Sequence, residues 1–131
     1  MKKRFLFLLF SIFALGSLKA QLPNGSQAPD WILTDLNGNT HHLQEYLDAG
    51  KTVYIDMFAT WCGPCWNYHQ THTLKNLYEQ YGPDGTDQVM VFGIESDIST
   101  PTNCLYDQNC PSSQGDWTAG VPYPIIDITA T

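Results

Sequence analysis

Cys62 and Cys65 stand two residues apart in the segment WCGPCW (61–66), directly after the apolar run TVYIDMFA (52–59). Thiols at that spacing can cycle as a dithiol–disulfide couple, clip a metal ion, or close a structural disulfide. The setting favours the first. The run before them is β-branched and aromatic, as in a strand covered on both faces. From Cys62 to Tyr81 the residues Trp66, Leu74, Leu77, Tyr78 and Tyr81 fall at helical spacings. Cys62 is then expected at the helix N-terminus, where unpaired N–H groups stabilise a thiolate and lower its pKa below that of a free cysteine. Pro64 is tolerated because the first turn has no use for its missing N–H. Cys65, one turn further in, is expected to be more buried and less reactive. That asymmetry assigns attack on a target disulfide to Cys62 and resolution of the mixed disulfide to Cys65.

Resolution requires Cys65 to lose a proton in a place of low dielectric. Asp56, the only ionisable residue besides Tyr54 in the strand-like run, is the candidate acceptor, since burial would raise its pKa. The alternative is an exposed edge carboxylate or a loop cap. Trp61 and Trp66 flank the pair, and with Gly63 and Pro64 they form the candidate surface for a target. Cys104 and Cys110, with five residues between them in CLYDQNC, read as a local disulfide stapling a loop. Its short loop limits the entropic gain to about 2–3 kcal/mol. The two pairs are 38 residues apart and lack usual zinc-ligand spacing, so no metal is expected. His69 and His72, three apart on the expected helix, read as surface residues sharing one face, and His41 and His42 also read as exposed.

The elements that must position the dithiol can be sketched from pattern. Trp31–Thr34, an Asn37-Gly38 turn and a return to Leu43 read as a hairpin, and Leu43–Ala49 as a short helix closed by Gly50. Gly82-Pro83-Asp84-Gly85 stops the long helix, and VMVFGI (89–94) is a second buried strand. Strand, helix, strand within about 45 residues is most simply a right-handed βαβ crossover with a parallel pair. A short helix is expected within Ser99–Asn109, a loop over 111–120, and a strand over Tyr123–Ile128.

The 131 residues hold one domain at most. Residues 1–20 do not belong to it. A basic start (Met1-Lys2-Lys3-Arg4), an eleven-residue apolar run (Phe5–Leu15) and a small-residue stretch to Ala20 have the layout of a secretory leader. The run is about half the roughly 20 residues a membrane span needs. Residues 21–131 then form an exported domain with no membrane insertion, expected in the periplasm or the medium. The whole chain has a net charge of −7; without residues 1–20, Lys51 and Lys75 face thirteen carboxylates, a net charge of −11. Such a domain should repel nucleic acid and anionic membrane surfaces. All four cysteines lie in the exported part, where disulfides persist.

YIDMFATWCGPC (54–65) resembles the active-site strand and motif of the thioredoxins, including Trp61, the Gly63-Pro64 insert and the acid at Asp56. GSQAPDWILTDLNGNTHHL (25–43) is similar to the N-terminal hairpin of the redoxin branch, the TlpA-type thioredoxins and AhpC/TSA peroxiredoxins, and VMVFGIESD (89–97) to its next strand. The resemblance covers Gly25 to Asp97. It implies an α/β thioredoxin-like fold with an N-terminal hairpin extension around a central parallel βαβ unit. It also implies a return hairpin and last helix for which little chain remains, so the domain is expected to be incomplete at its C-terminus. The family's cis-proline is either Pro124 or a residue beyond Thr131; YPIID (123–127) is more similar to the segment that precedes it.

The function implied is thiol–disulfide exchange outside the cytoplasm, with protein disulfides as substrates, no cofactor, and an electron donor that the sequence does not identify. The Gly-Pro insert resembles the reducing members. Oxidase or isomerase activity would use the same dithiol, because direction follows redox poise. Peroxiredoxins place a threonine three residues before their cysteine and a proline four before that; Ala59 and Ile55 stand there instead. The other class is a non-catalytic module whose Cys62–Cys65 pair is locked as a structural disulfide.

Overall fold

A computed structural model describes residues 23–129. The leader-like segment 1–20 lies outside the described residues. Nine short elements follow one another. They are β1 (Ile32–Thr34), β2 (Thr40–His42), α1 (Leu43–Asp48), β3 (Thr52–Phe58), α2 (Gly63–His69), α3 (Thr73–Tyr81), β4 (Val89–Glu95), a 3₁₀ turn (Thr102–Leu105) and β5 (Ile125–Asp127).

The N-terminal hairpin forms as the Asn37-Gly38 turn suggests. Strands β1 and β2 pair antiparallel, Ile32 opposite His42 and Thr34 opposite Thr40. The Asp35 carboxylate closes the turn by accepting the Asn37 and Asn39 N–H groups, both at 2.9 Å. Helix α1 starts directly from β2, and Gly50 (φ 75°) takes the left-handed conformation that ends it. Strands β3 and β4 are parallel, with Thr52 opposite Val89 and Phe58 opposite Glu95, and β5 adds to the other edge of β4, also parallel. The sheet order is β3-β4-β5, so β4 is central.

Alternation along β4 divides the interior. Met90, Phe92 and Ile94 point to one face, which Ile126, Trp31, Leu33, Tyr46 and Val53 complete. Val91 points to the other, where Phe58, Leu74, Leu105, Trp117, Tyr123 and Ile125 form the second cluster. Phe92 is fully buried, against the rings of Trp31, His41 and Tyr46. Removing such a ring from water contributes about 1.5–3 kcal/mol.

Four expectations are corrected. The long helix from Cys62 to Tyr81 is two helices. At the break the Thr71 hydroxyl donates to the Tyr68 carbonyl (2.7 Å), a local bond that competes with helix continuation, and His72 adopts a left-handed φ of 56°. His69 and His72 therefore do not share one helical face, and His69 is half-buried rather than exposed. His41 is buried: its Nε2–H donates to Asp35 Oδ2 (3.0 Å) and its Nδ1 bonds the Tyr46 hydroxyl (2.8 Å). Last, β3 is not covered on both faces. It is an edge strand whose outer edge has no partner among the described residues, and Tyr54, Ile55 and Met57 are exposed, Met57 by 65%.

The short helix expected within 99–109 is a single 3₁₀ turn, and the last strand is confined to Ile125–Asp127. No further strand or helix follows β5 among the described residues. Every peptide bond among them is trans, that of Pro124 included.

Candidate active site

Strand β3 ends at Phe58 and α2 begins at Gly63, with four residues between them; the dithiol occupies that junction at the C-terminal end of the parallel pair. Cys62 is the N-cap of α2, with Pro64 in the first turn. Cys62 and Cys65 are joined as a disulfide, their Cα atoms 5.3 Å apart. The Cys62 Sγ accepts the Cys65 backbone N–H at 3.3 Å, so the first cysteine faces a free helix donor and the second is held within the turn. Both are half-buried, but Cys65 packs against the core cluster of Phe58, Leu74 and Trp117.

The segment between strand and helix is pinned from several sides. Trp117, brought from the long 106–124 loop, donates its Nε1–H to the Thr60 carbonyl (3.2 Å) and stacks on Phe58 with ring centres 4.3 Å apart. The Gln114 backbone N–H donates to the same carbonyl (3.0 Å), and its side-chain amide to the Trp61 carbonyl (3.2 Å). From β4, the Glu95 carboxyl accepts the backbone N–H of Asp97 at 3.2 Å. Glu95 is only 1% exposed, and burial together with the facing charges of Asp127 and Asp97 pushes its pKa up to about 7. Neither Glu95 Oε2 nor the buried Thr60 Oγ1 has a hydrogen-bond partner.

The two flanking tryptophans differ. Trp61 is 54% exposed, its indole N–H held by Asp97 Oδ2 at 2.7 Å. Trp66 is half-buried, edge-on to Trp117 (5.0 Å) and stacked on His69 (5.2 Å). Burial pulls the His69 pKa down, so the ring favours its neutral form inside this cluster. Of the expected target surface, Trp61, Gly63 and Pro64 lie around the disulfide at the outside, while Trp66 belongs to the aromatic packing behind it.

Gly115 makes that packing possible. It has φ 157°, and a Cβ there would fall 2.6 Å from the Trp66 ring. Gly115→Ala is therefore expected to lower the urea unfolding free energy by about 1–3 kcal/mol at unchanged m-value. An unchanged urea midpoint would show that the ring is not held there.

Asp56 is half-buried, and desolvation raises its pKa. Its charge is felt by Tyr68, one turn beyond Cys65 on α2, and by Tyr123, which places the carboxyl on the helix-covered side of β3. Cys104 and Cys110 close the second disulfide, as expected for a loop staple, and both are buried. Each cysteine pair is thus closed on itself.

A family model described as Redoxin matches residues 23–126, nearly the whole described structure. The chain belongs to the Redoxin family. Individual relatives agree with this placement. A thiol-disulfide oxidoreductase ResA of Geobacillus kaustophilus is 37% identical over 73 residues, which cover 56% of this chain and 40% of that protein. ResA of Bacillus subtilis is 33% identical over 111 residues, 75% of this chain and 60% of that one. The chain thus spans about half the length of the curated relatives it matches. Among solved structures, a proposed protein disulfide isomerase of Bacteroides thetaiotaomicron superposes with a TM-score of 0.59 at 23% identity, covering 81% of this chain and 58% of that one. The thioredoxin domain of a thiol-disulfide oxidoreductase of Bacteroides vulgatus superposes with a TM-score of 0.55 at 19% identity, covering 82% and 65%. These likenesses establish the thioredoxin-like fold for this Redoxin chain.

Residues that pattern reading left without a role are Glu95, Asp97, Gln114 and Trp117. The signal for Glu95 was present, an acid closing an otherwise apolar strand. Trp117 reaches Thr60 across 57 residues of sequence, and no local pattern marks such a contact.

Proposed function

We propose that this Redoxin-family chain exchanges thiols and disulfides through Cys62–Cys65 outside the cytoplasm and acts as a disulfide reductase. One observation carries the reading: a disulfide on a strand-to-helix junction, with Cys62 as the helix N-cap and half-accessible beside an exposed Trp61. In the reduced protein, the Cys62 thiolate attacks one sulfur of a protein disulfide, forming a mixed disulfide and releasing the other sulfur as a thiolate. Cys65, once deprotonated, attacks Cys62 Sγ; the substrate leaves as a second thiol, and the protein holds the closed disulfide. Two electrons pass to the substrate, and a dithiol donor must return two electrons before the next cycle.

The Cys65 proton is assigned to Asp56. Its raised pKa makes the carboxylate a stronger base than an exposed aspartate, and on β3 it stands on the face of Phe58, a member of the core cluster against which Cys65 packs. Asp56→Asn is expected to prolong the mixed disulfide about 10- to 100-fold, while the first attack changes little. Stopped-flow with a fluorescent disulfide peptide separates the two steps; equal effects on both would remove Asp56 from this role. The reducing direction is supported by the Gly63-Pro64 insert, and export by the leader-like pattern of residues 1–20. The Cys104–Cys110 disulfide holds the loop beside the site.

The reading is tested by mixing the reduced protein with a disulfide-linked protein substrate and counting thiols. One equivalent of substrate disulfide reduced per Cys62–Cys65 disulfide formed supports it. Substrate reduction at the rate of buffer dithiol alone contradicts it.

A further inference from the structure

Beyond the dithiol, the structure has a groove of about 330 Å³ whose walls are Trp61 on one side and the loop stapled by Cys104–Cys110 on the other. Asp97 and Ser99 line it, together with Asn103, Asn109 and Ser112. Its size is at the lower end of the range for pockets that enclose a ligand, about 300–1,000 Å³, which suits a side chain or two of an extended peptide. Trp61, which lines the groove, directly precedes Cys62, so the groove and the dithiol share one short segment of chain, although Cys62 and Cys65 do not themselves line it.

We propose that this groove is a specificity site that takes a cationic side chain, Lys or Arg, next to the cysteine of the disulfide being exchanged at Cys62. Three observations support this, and the proposal rests on the exchange reading above. First, the groove contains a carboxylate that no cationic side chain among the described residues neutralises. Asp97 accepts hydrogen bonds from the Trp61 indole (2.7 Å) and from the Ser99 N–H (2.9 Å) and hydroxyl (2.6 Å), all neutral donors. These bonds hold its pKa down at about 2, so the charge persists at every working pH. Glu95, whose Oε1 accepts the Asp97 N–H, brings no compensating positive charge. Second, no lysine or arginine lines the groove. The two described lysines are committed elsewhere, Lys51 to Asp87 and Lys75 beside Glu79. Third, the Trp61 ring is fixed by its bond to Asp97 and 54% exposed, a face on which a cation can rest.

The groove and the dithiol move as one unit, because the loop that forms the far wall continues to Gln114 and Trp117, which bond the carbonyls of Thr60 and Trp61. Recognition at the groove therefore sets the position of the peptide relative to Cys62 Sγ.

The test uses two disulfide-linked peptides that differ only in Lys or Glu beside the cysteine. With the reduced protein, kcat/KM is expected to favour the Lys peptide roughly tenfold at low salt, and the preference should shrink as salt screens it. Asp97→Asn keeps an acceptor for Trp61 while removing the charge, and should reduce the preference to about twofold. Ser112→Arg, which places a cation in the groove from an exposed position, should reverse it. Asp84→Asn, in the turn at the opposite end of β4, controls for the overall acidity of the domain and should leave the ratio unchanged. If Asp97→Asn and Asp84→Asn shift the ratio equally, or the wild type shows none, the groove is not a recognition site. Fluorescence titration of the oxidised protein with cysteine-free versions of both peptides separates the two ideas. Lys-selective binding without exchange would overturn the reductase reading and keep the groove; exchange without selectivity would do the reverse.

Discussion

Replacing Cys62 with serine is expected to abolish disulfide exchange, lowering kcat/KM for any disulfide substrate by roughly 10³-fold or more. Serine keeps the N-cap geometry, and its hydroxyl can still accept the Cys65 N–H that Cys62 Sγ accepts at 3.3 Å. The fold should therefore survive, and the loss can be assigned to chemistry. Cys65→Ser is expected to behave differently. The first attack still occurs, but no thiol remains to resolve it, so a covalent 1:1 complex should accumulate through Cys62. Non-reducing mass spectrometry reads this directly. The two outcomes follow from one structural difference: Cys62 caps the helix beside an exposed tryptophan, while Cys65 packs against the core cluster that includes Phe58, Leu74 and Trp117. If Cys62→Ser instead accumulated the complex and Cys65→Ser were inert, the order of attack would be reversed.

The second large effect concerns Glu95. In the folded protein its pKa is raised from an ordinary value near 4.5 to about 7, chiefly by burial. A carboxyl with a raised folded pKa keeps its proton longer folded than unfolded. Below about pH 4.5 both states are protonated and the group exacts no penalty. Between about 4.5 and 7 the unfolded chain ionises first, and stability falls; above about 7 the full penalty, on the order of 3 kcal/mol, is present. Glutamine is the neutral isostere of the protonated acid. Glu95→Gln is thus expected to match wild type in urea denaturation at pH 4.5 within about 1 kcal/mol and to exceed it at pH 8 by on the order of 2–3 kcal/mol.

Other groups titrate in the same window. His42, its pKa raised by the Asp30 carboxylate, loses stabilisation as pH rises, whereas His69, its pKa lowered by burial, gains it. The difference between variant and wild type cancels both. A difference that stays flat from pH 4.5 to 8 would mean that Glu95 is solvated in the folded chain. Because the Glu95 carboxyl accepts the Asp97 N–H, its ionisation acts on the residue whose carboxylate holds the Trp61 indole.

What the sequence made legible was what local pattern encodes. The β-branched run 52–59, the Asn37-Gly38 turn and the C-x-x-C at a change of period gave the hairpin, the parallel pair and the dithiol at its junction. The helix break was missed because Thr71 and His72 do not announce it as Gly or Pro would; the competing hydroxyl bond is visible only in three dimensions. The edge position of β3 was missed because an apolar strand reads the same whether or not a neighbour covers it. His41 was misread because its burial depends on Asp35 and Tyr46 converging on one ring. Around the site, the bonds from Asp97 to Trp61 and from Trp117 to Thr60 span 36 and 57 residues. Contacts at that separation are set by the packed sheet and leave no periodic trace.

The central claim is that Cys62–Cys65 is a working redox couple. A glutathione redox titration of the chain, with thiol trapping and peptide mass spectrometry resolving each cysteine, tests it most directly. Cys62–Cys65 is expected to equilibrate with a potential near that of thioredoxin, about −270 mV, with Cys62 trapped first and Cys104–Cys110 still oxidised. A Cys62–Cys65 pair that stays closed across the whole titration while the chain is folded would contradict it and make the disulfide a structural one.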